Sequence, residues 1–270
     1  MAELALLVVD ANGSVRHESR GVDEVTLSWR GAYEPGDCLV VACNEQRAHL
    51  VMSLDVCLTE SHVLLVGGRF EFPIPVGEER NPYGKGWAFA DERHWAFVRV
   101  EDAREAGSWR NLALNAHDLR LVDADGVETA PVLFPHASTN VRCDNPQFWA
   151  RNAIDGVFEA CSHGSWPHES WGINGMDGAW LQVDFGEPVV ADELRLYLRA
   201  DFPHDTWWKS AVVELSDGTE LPLALEKTGA RQSFSLGGRT IEWLRLGHLG
   251  RAEDEGFPGL SQLQVWGHRA

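Results

Sequence analysis

Leu194–Gly218, LRLYLRADFPHDTWWKSAVVELSDG, decides how the rest of the chain is read. Leu194, Leu196 and Leu198 alternate with Arg195, Tyr197 and Arg199, the period-two pattern of a strand with one wet face. Ala211, Val213 and Leu215 repeat the pattern and run into the turn Ser216-Asp217-Gly218. Between these strands lies Ala200–Lys209, which carries Asp201, His204, Asp205, Trp207 and Trp208, with Pro203 stiffening the backbone. Carboxylates and imidazoles hydrogen-bond hydroxyl groups, and an aromatic face covers the apolar C–H patch of a pyranose ring. Such groups on a loop above a rigid sheet predict a binding end for a hydroxylated ring compound.

Outward from this stretch, the chain has 270 residues, 44% of them hydrophobic and 12 of them Trp, enough for two ordinary cores. The formal net charge of −18 argues against nucleic acid, which wants clustered Lys and Arg, and against anionic membrane surfaces. The start, MAELALLVVDANGS, lacks a basic segment, and its apolar run Leu4–Val9 ends at Asp10. That pattern predicts a cytoplasmic protein without a secretory signal. The five Cys, at 38, 43, 57, 143 and 161, include no C-x-x-C pair. Neither a zinc-finger spacing nor a disulfide framework follows from them, and they are expected to be reduced and mostly buried.

Apolar residues alternate or run in short blocks, punctuated by 26 Gly and 12 Pro, so an all-β chain is expected. Candidate strands in the first half are 4–9, 24–29, 38–43, 48–54, 62–66, 70–74 and 95–100, a spacing that fits a jelly-roll-like β-sandwich. Asp102–Trp109 is the one place for a short helix, and Asp125-Gly126 signals a hairpin turn within Val122–Val127. Phe134-Pro135-His136 reads as a crossing, which divides the chain into a domain of residues 1–135, without an assigned role, and one of residues 136–270. Strands in the second half are expected at 180–185, 193–199, 210–215, 221–225, 232–235, 240–246 and 262–266, a second sandwich.

Four motifs in the second half stand in a familiar order. Asn152-Ala153-Ile154-Asp155-Gly156 is followed by Trp180-Leu181-Gln182-Val183-Asp184-Phe185-Gly186, by Val213-Glu214-Leu215-Ser216-Asp217-Gly218, and by Leu263-Gln264-Val265-Trp266-Gly267. Together they resemble the discoidin, or coagulation-factor C-type, domain, a galactose-binding-like sandwich, in its carbohydrate-binding-module branch. The segments SHGSWPHESWGIN and RADFPHDTWW also resemble bacterial proteins described as carbohydrate-binding. The resemblance covers residues 137–270 and implies a structural calcium ion beside the A-I-D-G turn. Its ligands would be the carbonyls of Asn152, Val157 and Ser261, the Asp155 carboxylate, the Ser162 hydroxyl and the Gln262 side-chain oxygen. These are hard oxygen donors, as calcium requires. Gln262 stands where the family has an acid, which lowers the ligand charge. The alternative for Asp155 is a purely local role, accepting backbone N–H groups in a tight turn.

The resemblance also places ligands at loops on one tip of the sandwich. Two loops qualify, His163–Trp171 and Arg199–Trp208. The candidate ligand-binding residues are Arg199, Asp201, His204, Asp205, Trp207, His163 and Trp166, with Trp166 or Trp207 as the stacking platform. Against this stands an Arg199–Asp205 salt bridge that only braces the loop, and a core position for one of the adjacent Trp207 and Trp208. A third loop, from Arg251 to Leu260, brings Glu253, Asp254 and Phe257 toward the rim. The segment Pro73–His94, rich in Gly, Pro and aromatic residues, reads as a strap between domains. Function divides three ways. Non-catalytic glycan binding comes first. An accessory or scaffold subunit with a protein partner is the alternative. A glycosidase would need two opposed carboxylates, for which Asp201 with Asp205 or Glu169 with Asp205 are the only pairs on offer and carry no motif.

Overall fold

A computed structural model describes residues 1–90, 92–120, 129–253 and 256–270. In chain order the strands are β1 (Glu3–Val9), β2 (Val15–Val22), β3 (Glu24–Arg30), β4 (Cys38–Cys43), β5 (Arg47–Ser53), β6 (Ser61–Val66), β7 (Arg69–Pro73) and β8 (Arg93–Val100). There follow α1 (Ala103–Ala106), β9 (Arg110–Asn111), β10 (Leu133–Phe134), β11 (His136–Thr139), β12 (Trp171–Gly172) and β13 (Leu181–Leu198). The chain closes with β14 (Trp208–Leu215), β15 (Glu220–Ala224), β16 (Gln232–Arg251) and β17 (Gly259–Arg269). The all-β expectation holds. The helix inside 102–109 is one turn, capped by Asp102, whose side chain accepts from the Arg104 N–H at 2.8 Å. Val122–Val127 and Asp254 lie outside the described residues.

The first sandwich faces a four-stranded sheet, order β2-β1-β4-β7, against a five-stranded one, order β10-β6-β5-β8-β3. Leu4, Leu6 and Val8 of β1 meet Leu50 and Met52 of β5 and Val98 of β8 in one core. β2 was not among the expected strands. Its sequence VRHESRGV is polar on both faces because it is an edge strand with water on both sides, so no apolar period marks it.

In the second sandwich the largest sheet runs β12-β17-β13-β16-β14-β15. Two pairs of expected strands are each one long bent strand, β13 and β16. Their mutual ladder breaks between Asp184 and Val189, where the sequence turns at Gly186. Gly186 has φ +70°, and a Cβ there would lie 2.5 Å from the Phe134 ring, so only glycine fits where the two halves touch. Leu181, Val183 and Phe185 point into the core while Gln182 and Asp184 stay half-buried, as the alternation predicts.

The two sandwiches are stitched together. β10 pairs with β6, the chain passes Pro135, and β11 pairs with β13. Before that, Arg110 and Asn111 pair with β17, and Leu112 and Ala113 pack in the second core. Glu101, at the end of β8, is the ionic centre of the junction. It meets His62 Nδ1 at 2.8 Å, Arg110 at 2.8 Å and Arg269 at 2.7 Å, with its side chain 2% exposed. Burial pushes the Glu101 carboxyl up, but the His62 hydrogen bond and the two guanidinium charges outweigh it and hold the carboxyl below its usual range. The strap segment docks on the second sandwich. Trp166 N–H donates to the Asn81 carbonyl at 2.8 Å, the Trp87 and Trp166 rings meet edge-on at 5.4 Å, and Arg151 lies 4.6 Å over the Tyr83 ring.

Glu101→Gln should cost about 2 kcal/mol in urea unfolding at pH 7, because it leaves two guanidinium groups under-compensated. A carboxyl held low in the folded state stabilises above its unfolded value and loses that contribution as pH falls through the folded value. The gap between variant and wild type should therefore close below about pH 4. A gap independent of pH would show that Glu101 acts through packing alone.

Candidate functional site

The site is built at one tip of the second sandwich from four loops that the strand ends hold in place. β12 pairs with β17, Trp171 opposite Leu260, and fixes the start of the 172–180 loop. Arg199, at the end of β13, donates its N–H to the Gly259 carbonyl at 2.9 Å, and Ala200 N–H donates to the Ala160 carbonyl at 2.7 Å. These bonds bring the loops around residues 160, 200 and 258 together.

The two expected loops converge on a cavity of about 310 Å³ whose walls include Phe148, His163, Ile173, Arg199, His204 and Phe257. His163 comes from the first loop and His204 from the second, and their rings stack at 4.4 Å with a 7° interplanar angle. Asp201 Oδ2 lies 2.6 Å from His163 Nδ1, and Asp205 Oδ1 lies 3.3 Å from His204 Nδ1. With Nδ1 of each ring turned to a carboxylate, Nε2 is left to meet a ligand hydroxyl. Phe257 is 61% exposed at the rim, its ring 6.2 Å from that of His204.

Arg199 and Asp205 form a buried bidentate pair, Nε to Oδ2 at 2.7 Å and Nη2 to Oδ1 at 2.8 Å. Arg199 also donates to Ser170 Oγ at 3.3 Å and to the Phe257 carbonyl. A Cβ on Gly259 would sit 3.1 Å from the guanidinium carbon, so the bare backbone is what lets Arg199 lie flat there. The pair is therefore the floor that sets the loops, and Asp205 has both oxygens committed to it.

The tryptophans go elsewhere. Trp207 and Trp208 are adjacent in extended backbone and face opposite ways. Trp208 and Trp171 are in the core, 5.9 Å apart, and Trp207 packs against that core from outside. Trp166 turns to Trp87 of the first sandwich. Neither expected stacking indole lines the cavity; the aromatic surface there is Phe257, Phe148 and the imidazole pair. Phe148 and Ile173 had no signal in the sequence, since each reads as an ordinary core residue.

A second feature lies beneath. Asp155, Glu169, Ser261 and Gln262 are all buried. Asp155 Oδ1 accepts the Val157 N–H at 2.9 Å, the local role open to it. Both Glu169 oxygens, Ser261 Oγ and both Gln262 side-chain polar atoms have no hydrogen-bonding partner. Burial raises the Asp155 carboxyl against the pull of Arg151, and burial followed by the charge of Asp155 raises Glu169. Burial alone leaves five orphaned polar atoms costly, each by about 1–3 kcal/mol. Four of the five are oxygens, the two of Glu169, Ser261 Oγ and Gln262 Oε1, and a bound cation would answer these, so the residues fit calcium. In such a set Glu169 would stand as the second carboxylate, since Gln262 is neutral. Asn152 is buried and Ser162 half-buried on the same loop. Arg151 is buried beside Asp155, donating to the carbonyls of Asp118 at 2.8 Å and Ala116 at 2.9 Å and to Asn152 Oδ1 at 3.0 Å.

No curated protein matches the sequence. Among solved structures the chain is similar to chitosan-binding module 1 of a chitosanase/glucanase from Paenibacillus sp. IK-5, with 19% identity over 58% of this chain and 99% of the module, TM-score 0.39. It is similar to the lectin domain of lectinolysin complexed with Lewis B antigen, with 17% identity over 60% of this chain and 97% of that one, TM-score 0.40. A Streptococcus pneumoniae fucose binding module gives 14% identity over 59% of this chain and 99% of the module, TM-score 0.40. The part of the chain that carries both the cavity and the buried oxygen cluster, residues 133–266, matches the family model described as Domain of unknown function (DUF7402).

Proposed function

We propose that the tip cavity of the second sandwich binds a carbohydrate without transforming it. The observation that carries this reading is the convergence of His163, His204 and Phe257 on one cavity of about 310 Å³. That volume is at the lower end of the range of about 300–1,000 Å³ for small-molecule sites, suited to one or two sugar rings. The free imidazole nitrogens meet hydroxyls, and Phe257 offers an apolar face to ring C–H groups. Catalysis is disfavoured by the state of the acids. Asp205 is bound at both oxygens by Arg199, Asp201 is held by His163, and Glu169 faces the buried cluster. Among these three acids no opposed pair is left to act as acid and base across a glycosidic bond.

A structural calcium ion completes the domain in this proposal. Asp155 and Glu169 supply the charge, Gln262 a neutral oxygen, Ser162 a hydroxyl, and Asn152, Val157 and Ser261 their carbonyls. The ion neutralises the buried carboxylates and fixes the loop that ends at Trp171.

The alternative, a subunit docking on a protein partner, is favoured by one observation outside the tip. Trp109, 50% exposed, lies 4.6 Å from Trp266, with the Arg195 guanidinium 4.2 Å over the Trp266 ring. Exposed Trp and Arg are the residue types that dominate protein interfaces.

On a glycan array, His204→Ala and Phe257→Ala should each lower binding about tenfold or more with unchanged melting, while Trp166→Ala keeps wild-type binding. Wild-type protein bound to no glycan, together with a stable complex in native pull-down that Trp109→Ala dissolves, would replace this reading with the docking one. Calcium at about 100 times its Kd should add about 2.7 kcal/mol to folding, raising the melting temperature by several degrees over EDTA. Glu169→Gln should remove that difference. Equal melting of the wild type in calcium and in EDTA would eliminate the ion.

A further inference from the structure

We propose that Glu159, Cys161 and His168 form a binding site for a borderline-soft divalent cation of the zinc type, separate from the calcium cage and from the sugar cavity. One donor atom from each residue lies within 4.8 Å of the other two. Tetrahedral zinc, with bonds of about 2.3 Å to sulfur and about 2.0 Å to nitrogen or oxygen, sets its donors about 3.5 Å apart. Glu159 and Cys161 are exposed, so small side-chain rotations close that gap without moving the backbone. A thiolate and an imidazole select a softer ion than calcium.

The backbone holds the three residues in place. The Ala160 carbonyl accepts from Ala200 N–H at 2.7 Å, which anchors the 159–161 arm to the opposite loop. Gly164 N–H donates to the His168 carbonyl at 3.2 Å, and His168 N–H donates to the Ser165 carbonyl at 3.0 Å, a closed turn that returns the imidazole beside the thiol. His168 Nδ1 is buried with no hydrogen-bonding partner. The Glu159 carboxylate accepts the N–H groups of Ala160 at 2.9 Å and Cys161 at 3.0 Å. Glu159 is therefore oriented before an ion arrives, which lowers the cost of assembling the site. Binding replaces the thiol proton with metal and releases it to water. Two exposed donors leave the fourth coordination position to water, as in open zinc sites.

The neighbouring group of His163, His204 and Asp205 also brings three donors within 4.8 Å. It fits a cation less well, because both Asp205 oxygens are bound by Arg199 and the two imidazoles lie face to face. The zinc-type site instead fastens the arm on either side of His163, so it would stiffen one wall of the cavity whatever ligand that cavity takes.

Cobalt(II) substitution tests the site directly. Reduced protein in excess calcium, titrated with Co²⁺, should develop visible d–d bands of a tetrahedral ion together with a near-ultraviolet thiolate-to-metal charge-transfer band. Cys161→Ser should abolish the charge-transfer band, and His168→Gln should weaken Co²⁺ and Zn²⁺ binding by more than about tenfold, each with unchanged calcium-dependent melting. No charge-transfer band in the wild type would overturn the proposal. A band that survives Cys161→Ser, arising from Cys38, Cys43, Cys57 or Cys143, would overturn it too. Visible bands without the thiolate band would move the site to His163 and His204. Glycan-array binding is a separate readout, so failure of the sugar reading and failure of this one are told apart.

Discussion

Arg151 carries a positive charge where no water reaches it, and much of the second sandwich is arranged to answer that charge. Its guanidinium donates to two main-chain carbonyls and to Asn152, and it lies on the Tyr83 ring of the first sandwich. The carboxyl groups of Asp118, Asp155 and Glu169 lie around it, the last two raised above their ordinary range by burial. An isolated buried ion costs several kcal/mol, so the guanidinium is tolerable only if all of these partners are in place together. One side chain thus ties the 116–118 segment, the strap around Tyr83 and the oxygen cluster under the tip into a single cooperative arrangement.

A second buried ion pair does the same at the surface end. Arg199 and Asp205 pair within the 199–208 loop, and Arg199 reaches on to the Ser170 hydroxyl of the 163–171 loop and to the Phe257 carbonyl. Arg199 and Asp205, expected as ligand contacts, are thereby committed to each other, and the imidazole pair and Phe257 line the cavity beside them. Holding a cavity open in advance lowers the entropy lost on binding. The same rigidity removes Asp205 from acid–base work.

The junction between the sandwiches is ionic where Glu101 gathers His62, Arg110 and Arg269, and aromatic where Trp87 meets Trp166. Trp166 was expected over a ligand and is instead part of this contact. The first sandwich thus bears on the tip through the 163–171 loop, although its own strands lie elsewhere.

The sequence by itself determined the strands and which of their faces are dry. Leu181, Val183 and Phe185, or Leu194, Leu196 and Leu198, announce their burial because neighbouring side chains on a strand must point opposite ways. It also marked the loops at 163–171 and 199–208, which crowd imidazoles and acids between apolar runs and which both contribute to the walls of one cavity. It did not reveal β2, whose edge position leaves no apolar period, or the continuity of β13 and β16 through their bends. Only the tertiary structure decided what each loop residue does. Asp205 is a brace because Arg199 reaches it, Glu169 is a buried carboxyl raised further by the charge of Asp155, and Cys161 meets His168 because a turn folds back. Such pairings depend on distances between segments far apart in the chain, and local residue pattern carries no record of them.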